Sequence, residues 1–340
     1  MGIGISRVVL AKEGLCLAAV CDSRPDLAGS DIARLIGSEQ PIGVCVDPDL
    51  EAAIRCSHPQ VAIQACCSTV EDAWQDIAVL LRAGINVISI AEEMAYPACA
   101  SVYRARELEQ LAVANGVSVV GTGVNPGFVL DLLVIALTGV CIDVDSIVAT
   151  RCNDLAPFGR TVLAAQGIGL TPEAFAHGVS DGTITGHVGF PQSIHMIASA
   201  LGWSIDRIEE RREPIVSRVR RETQWVTVEP GQVAGCRHTA VAYRNSRALI
   251  TLTHPQQIQP ELEGQTTGDR IEIIGRPSIC LAGSPEISGG KATMAIAVNM
   301  IPRVLNAPPG LHSMRDLPVP SALLDDVRHF VNASKESRCA

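Results

Sequence analysis

The stretch Val117–Leu133 reads V-S-V-V-G-T-G-V-N-P-G-F-V-L-D-L-L. A β-branched run stops at Gly121, a Gly-Thr-Gly-Val-Asn-Pro-Gly turn follows, and an apolar helical pattern is predicted from Phe128. A strand running into a turn and then a helix places polar backbone at the carboxyl end of a sheet, where open α/β folds bind ligands. Upstream, strand patterns over Leu15–Cys21, Gly43–Val46, Val61–Cys66 and Ile85–Ala91 alternate with helical patterns over Ile5–Ala11, Asp31–Ile36, Val70–Ala83 and Leu108–Asn115. Ser68 or Thr69 is the candidate N-cap of the Val70 helix, and Gly84 its stop. Apolar strands separated by helices predict a doubly wound parallel sheet covered on both faces, an α/β domain.

Beyond about residue 140 the pattern changes. Ile147–Asn153 reads as a strand, and Leu170–Gly178 and Ile194–Leu201 as helices. Strand-patterned runs follow at Gln224–Val228, Thr239–Tyr243, Ala248–Thr253 and Arg270–Ile274, with turns at Pro230-Gly231 and Asn245-Ser246. These predict a second, α+β domain built on a mostly antiparallel sheet. Thr293–Leu305 reads as a helix returning to the first domain. The predicted division is therefore 1–140, 141–292 and a C-terminal segment 293–331, with a polar, frayed tail from Asn332.

The 340 residues carry a net charge of −9, 47% hydrophobic residues and 3% aromatics. That acidity disfavours nucleic acid and anionic membrane surfaces, and the scarcity of aromatics disfavours base-stacking platforms. No apolar run reaches transmembrane length and no signal peptide is read at the N-terminus, so the expected location is cytoplasmic. The 12 cysteines are scattered, with no C-x-x-C and no H-E-x-x-H. They read as buried free thiols, several in apolar strand-like runs (Cys16, Cys21, Cys45, Cys66, Cys280), and no metal site is expected.

A Rossmann-type domain opens on a strand followed by G-x-G-x-x-G. Here the chain opens M-G-I-G-I-S and enters a helix directly, with Gly2 where the third glycine of that fingerprint stands. Asp22, at the end of the next predicted strand, stands about where the ribose-binding acid belongs. The sequence thus reads as starting inside its own phosphate loop, with the first strand missing. Either the start is assigned to an internal Met, or the fold is shortened and dinucleotide binding weakened.

Several residues are candidates for chemistry. Asp22 suits an NAD ribose, whereas Arg24, beyond Ser23, suits a 2′-phosphate or stacks on adenine. Glu92-Glu93 end an apolar strand at the ligand edge, where carboxylates must be solvated, paired or functional. Asn125-Pro126-Gly127 can present a side-chain amide. His187 lies in G-H-V-G-F-P-Q-S, Arg151 and Asn153 end one strand, and His254 ends another. An imidazole and a guanidinium together suit a carboxylate or carbonyl oxygen. Ser288-Gly289-Gly290-Lys291 matches S-x-x-K, but its glycines read as a flexible turn.

Four blocks carry a more specific signal: G-I-N-V-I-S-I-A-E-E-M-A-Y-P (84–97), V-V-G-T-G-V-N-P-G-F-V-L-D-L-L (119–133), G-H-V-G-F-P-Q-S (186–193) and A-V-N-M-I-P-R-V-L-N-A-P-P-G-L (297–311). In this order they resemble the 2,4-diaminopentanoate dehydrogenases and related NAD(P)-dependent amine dehydrogenases of the dihydrodipicolinate-reductase-like group. The H-H-x-x-K stretch of dihydrodipicolinate reductase proper is not found. The resemblance implies a Rossmann domain with an α+β substrate and dimerisation domain, NAD or NADP as cofactor, and a homodimer. It implies oxidative deamination of an amine or diamino acid, and reductive amination of a ketone with ammonia. One of Glu92 and Glu93, with Glu92 favoured, would be the acid/base. Asn125, Phe128, Arg151, Asn153, His187 and His254 would bind substrate. Gly2, Asp22, Ser23, Arg24, Cys67, Ser68 and Asn299 would serve the cofactor, with the Pro302 region near the nicotinamide. The competing readings are a reductase of another carbonyl or imine on the same scaffold, and a non-catalytic Rossmann-like sensor.

Overall fold

A computed structural model describes residues 1–332. The expected frayed tail falls almost wholly outside the described residues. In chain order the strands are β1 (Val20–Cys21), β2 (Val46–Asp47), β3 (Val61–Gln64), β4 (Asn86–Ser89), β5 (Ser118–Gly121), β6 (Asp143–Asp154), β7 (Arg207–Val216), β8 (Arg221–Glu222), β9 (Thr227–Val228), β10 (Val233–Arg244), β11 (Arg247–Gln257), β12 (Gly268–Arg276), β13 (Ile279–Gly283) and β14 (Gly310–His312). The chain divides into a unit of residues 1–128 with 288–340 and a unit of residues 129–287. The boundary therefore falls at 128/129 rather than 140/141, and the return at 287/288 rather than 292/293. The reason is Asp131, which caps the helix Leu132–Thr138 and accepts the Ser193 hydroxyl at 2.8 Å, tying that helix to the second unit.

In the first unit β14, β5, β4 and β3 form a four-stranded parallel sheet, and β1 and β2 a separate parallel pair. Only Val20–Cys21 of the predicted Leu15–Cys21 strand is paired, because its partner β2 is equally short and no strand lies on its other edge among the described residues. The helix Val70–Arg82 buries Ile77, Leu80 and Leu81 against Val87 and Val119 of the sheet and against Leu108 and Ala112. Each such side chain contributes about 1.5–3 kcal/mol by leaving water. Thr69, not Ser68, is its N-cap, accepting from the Asp72 amide at 3.1 Å. The predicted helix at Thr293–Leu305 is two helices, Gly289–Asn299 and Ile301–Asn306, the second opening with Pro302, which lacks the amide that would continue the first. Gly289, Gly290 and Lys291 lie in its first turn rather than in a flexible loop, because the apolar run behind them packs onto the helix Gly2–Leu10.

The second unit is a six-stranded sheet of order β13-β12-β6-β11-β10-β7, antiparallel except where β11 meets β6. Alternate residues bury His238 and Ala240 of β10, Leu252 and His254 of β11, and Ala149 and Arg151 of β6. Phe190, from the helix Phe190–Leu201, lies against that face. The opposite face presents Val148, Thr150, Thr251, Thr253, Thr239 and Val241, half-buried. β7 is charged at most positions, R-I-E-E-R-R-E-P-I-V, and escapes a hydrophobic pattern because it is an edge strand.

The helix predicted from Phe128 begins at Leu132, because 126–131 turn rather than coil. The described cysteines are free, but burial is the exception: Cys236 is buried, whereas Cys16, Cys21, Cys45, Cys56, Cys66 and Cys280 are exposed. The runs carrying Cys16, Cys21 and Cys45 flank the small β1–β2 pair, which too little chain covers.

Gly121 closes β5 against the turn that follows β4. A Cβ there would lie 1.9 Å from the Met94 carbonyl oxygen and 2.6 Å from the Ala95 nitrogen. Both neighbours are backbone and cannot swing aside. Gly121→Ala is expected to lower stability by about 1–3 kcal/mol, read as a fall in Tm by thermal unfolding. An unchanged Tm contradicts this packing.

Candidate functional site

Each unit carries its own set of candidate groups. In the first unit the turn Glu92–Ala95 follows β4 at the carboxyl end of the parallel sheet. The two neighbouring carboxylates are used differently. Glu93 reaches back to the helix Val70–Arg82, where its Oε2 accepts the Val70 amide at 2.8 Å, and its own amide donates to the Ser68 carbonyl at 3.1 Å. A carboxylate at a helix N-terminus satisfies an otherwise orphaned donor and the helix dipole. Glu93 is therefore held in a structural contact. Glu92 receives a hydrogen bond from the Ser68 side chain. Burial pushes its carboxyl pKa up from the ordinary value; its own amide and Ser68 offset part of that rise, and the charge of Glu93 adds to it.

The neighbouring turn supplies Asn125 and Phe128, both half-buried. The Thr122 amide donates to the Ser89 carbonyl at 2.8 Å, and the Val124 amide to the Thr293 hydroxyl at 3.2 Å. Those two bonds tie the turn to β4 and to the helix Gly289–Asn299.

Of the residues assigned to a dinucleotide, Gly2 opens the helix Gly2–Leu10, whose N-cap Met1 supplies no side-chain bond, and the space at Gly2 is open. Asp22 follows β1. Its carboxylate accepts the Arg24 amide at 3.0 Å and the guanidinium at 3.1 and 3.2 Å, which holds its pKa below the usual range. Asp22 and Arg24 are thus paired with each other. Ser23 and Ser68 are exposed. Cys67 Sγ accepts from Gln64 at 2.8 Å, and burial raises its pKa to about 11, so it is a thiol. Asn299 ends its helix. A helix start with unclaimed amides and a carboxylate at a strand end fit the pyrophosphate and ribose of a dinucleotide. Among the described residues no group of side chains could hold a metal ion.

In the second unit the structure brings Arg151, Asn153, His187 and His254 onto one buried face. His187 stacks edge-on to His254 at 4.9 Å and to Phe190 at 4.6 Å. The His254 Nε2 donates to Asn153 Oδ1 at 3.1 Å. Burial first, then the neighbouring imidazoles and Arg151, disfavour the charged form of both rings: His187 is pushed down to about 3, and His254 well below its ordinary value. Arg151 faces Asp269 across the β6–β12 ladder and pairs with it at 2.6 Å, and it also donates to the Ile287 carbonyl. Its charge is matched before any ligand arrives. His187 Nε2 and the Oε1 atoms of Gln166 and Gln256 are buried without partners.

Sequence reading missed His238, Glu210, Gln166 and Gln256. Period-two alternation places His238 and Gln256 on the His254 face, but that signal does not separate them from ordinary core residues.

The geometry matches what the comparisons give. Residues 128–333 match the model of the 2,4-diaminopentanoate dehydrogenase C-terminal domain. The chain is 42% identical over 337 residues to 2,4-diaminopentanoate dehydrogenase of Acetoanaerobium sticklandii, covering 98% of this chain and 94% of that protein.

The chain belongs to the 2,4-diaminopentanoate dehydrogenase family.

It is also 26% identical to an amine dehydrogenase of Streptomyces virginiae, over 93% of each chain. Its fold matches that of an amine dehydrogenase from Mycobacterium smegmatis with a TM-score of 0.85 at 22% identity, covering 96% and 95% of the two chains. Membership of this family makes the Glu92/Glu93 division the one to test first. Removing the Glu93 carboxylate strips the helix Val70–Arg82 of a capping acceptor. Glu93→Ala is expected to cost about 1 kcal/mol by denaturant unfolding, with Glu93→Gln, which keeps a carbonyl acceptor, costing less. Equal stability of Glu93→Ala and the parent contradicts the capping assignment.

Proposed function

We propose that this chain catalyses NAD(P)-dependent oxidative deamination of an amine or a 2,4-diaminopentanoate-like amino acid, and the reverse reductive amination of a ketone with ammonia, with Glu92 as the acid/base. Family membership supports the reaction, and the half-buried, raised carboxyl of Glu92 beside a structurally occupied Glu93 is the observation that carries the assignment. A carboxyl with raised pKa keeps its proton to higher pH than an ordinary carboxyl, which suits a group that must both accept and return one.

In the oxidative direction Glu92 accepts a proton from the substrate ammonium, leaving the free amine. A bound dinucleotide would supply the acceptor for the hydride on the amine-bearing carbon. Water adds to the resulting iminium carbon, Glu92 manages the protons, and ammonia leaves as the ketone forms. The helix start at Gly2, with Asp22, Ser23, Arg24, Cys67, Ser68 and Asn299, serves the dinucleotide. Asn125, Phe128, Asn153, His187 and His254 are the residues proposed to bind substrate. Arg151 is included as the matched cation of the second unit's set. The neutral imidazoles donate or accept hydrogen bonds rather than supply charge, so a substrate carboxylate meets no free cation among these second-unit groups. A sensor without turnover has less support, because the chain covers nearly the whole length of a relative named as a dehydrogenase.

Glu92→Gln is expected to lower kcat/KM for amine oxidation by about 10²–10⁴-fold, with Glu93→Gln retaining most of it. Because the Glu92 pKa is raised, its basic form appears only above the usual carboxylate range. The acid limb of the kcat/KM–pH profile should therefore lie above that range and vanish in Glu92→Gln. Full activity in that variant excludes the role.

The open sheet face supports a homodimer, and the free described cysteines fit a cytoplasmic protein. Thr239 and Thr253 pair there across β10 and β11 at 3.3 Å, flanked by Val148 and Val241, a face with little charge at its centre. Light scattering on the purified chain is expected to give twice the 35.9 kDa monomer mass, and Val241→Glu to shift it to one. A monomeric parent contradicts this arrangement.

A further inference from the structure

The loop that carries His187 is held from three sides. Arg212 Nε donates to the Thr185 carbonyl at 2.7 Å, and Gln166 Nε2 to the Gly186 carbonyl at 2.8 Å. The His187 amide itself donates to His238 Nδ1 at 3.1 Å. Gly186 has φ +65°, and a Cβ there would lie 2.9 Å from that same Nδ1, so the loop can approach the ring only as glycine. The tautomer of His238 follows from these contacts. Nδ1 accepts, so a neutral ring carries its proton on Nε2, which lies 2.9 Å from Glu210 Oε2 and donates to it. Glu210 is fixed in turn by Arg212 at 3.0 Å. His238 is fully buried, edge-on to Phe190 at 4.9 Å. Against this tied backbone, the His187 side-chain Nε2 is buried and unpartnered. Leaving a buried nitrogen unpaired is costly unless a ligand or water supplies the partner.

We propose that His238 and Glu210 are positioning residues: Glu210 fixes the tautomer of His238, and His238 Nδ1 fixes the main chain of His187, so that the open His187 Nε2 is held for the amine substrate. This rests on the reading of His187 as a substrate-binding residue. Neither His238 nor Glu210 touches the substrate. Gln166 and Arg212 hold the loop's carbonyls, but His238 alone bonds the residue that bears the imidazole.

Two substitutions separate the nitrogens of His238. Asn places a carbonyl oxygen near the position of Nδ1 and can still accept from the His187 amide. Gln places its amide near Nε2 and can still donate to Glu210, but has nothing at Nδ1. Steady-state kinetics of the full chain with 2,4-diaminopentanoate and NAD(P), with His187→Ala as reference, read the difference. His187→Ala and His238→Gln are each expected to raise the substrate KM about tenfold, the worth of one hydrogen bond. kcat and the KM for the dinucleotide should change little. His238→Asn should stay near the parent. Equal impairment of His238→Asn and His238→Gln, or parent-like kinetics for both, overturns the proposal. An unchanged KM in His187→Ala overturns the substrate role of His187 and the proposal with it, whereas an impaired His187→Ala beside a parent-like His238→Gln overturns the positioning role alone. If His238→Gln fails to fold, Glu210→Ala on the edge strand β7 reads the same device. A raised substrate KM with an unchanged dinucleotide KM supports it, and an unchanged substrate KM overturns it.

Discussion

The main-chain contact between Gly121 and the Met94 carbonyl sets the geometry of the first unit's chemical edge. Two parallel strands end side by side there, and only the lack of a side chain on Gly121 lets the turn after β4 fold across the end of β5. That turn carries Glu92 and Glu93. The turn after β5 is tied to the same edge by the Thr122 amide on the Ser89 carbonyl. Backbone contact, rather than side-chain packing, therefore sets where a carboxylate and an amide-bearing loop come to rest. Such contacts tolerate little adjustment, because peptide groups cannot choose another rotamer.

Neighbouring groups of one kind are given different work by their surroundings. Glu92 and Glu93 are adjacent in sequence and both half-buried, yet one caps a helix and the other has a raised pKa. His187, His238 and His254 share a face, yet one is tied through both ring nitrogens, one donates to Asn153, and one keeps Nε2 open. Arg151 brings a full charge into the same layer and has it matched by Asp269. A buried ion pair of this kind costs desolvation and contributes to geometry more than to stability.

Much of this was legible in the chain itself. The strand–helix alternation up to Gly121 gives the parallel sheet because strands buried on both faces must be apolar throughout. Thr69, Gly84 and Gly116 mark helix ends for local reasons that survive folding. The legibility fails where partners decide. Leu15–Cys21 looks like a core strand but pairs over two residues, and its cysteines stay exposed. β7 is an edge strand whose charges hide it from a hydrophobic pattern. In the site, Glu92 and Glu93 were visible as a pair, but their division depends on the Val70 amide, a contact made across 23 positions of sequence. His238 and Glu210 carry no local signature, since their value lies in one main-chain hydrogen bond to a distant loop.

The polar groups gathered on the second unit's buried face are, apart from matched pairs, uncharged. Such a surface has little long-range reach: it does not draw ligands in from solvent, and dissolved salt has little to screen. On the proposed substrate role of His187, its selectivity comes from omission. A molecule of the right shape that lacks a group for the His187 nitrogen leaves that nitrogen stranded without water, and the penalty falls on the complex rather than on the free protein's encounter with it. Discrimination of this kind acts on how long a ligand stays, not on how fast it arrives.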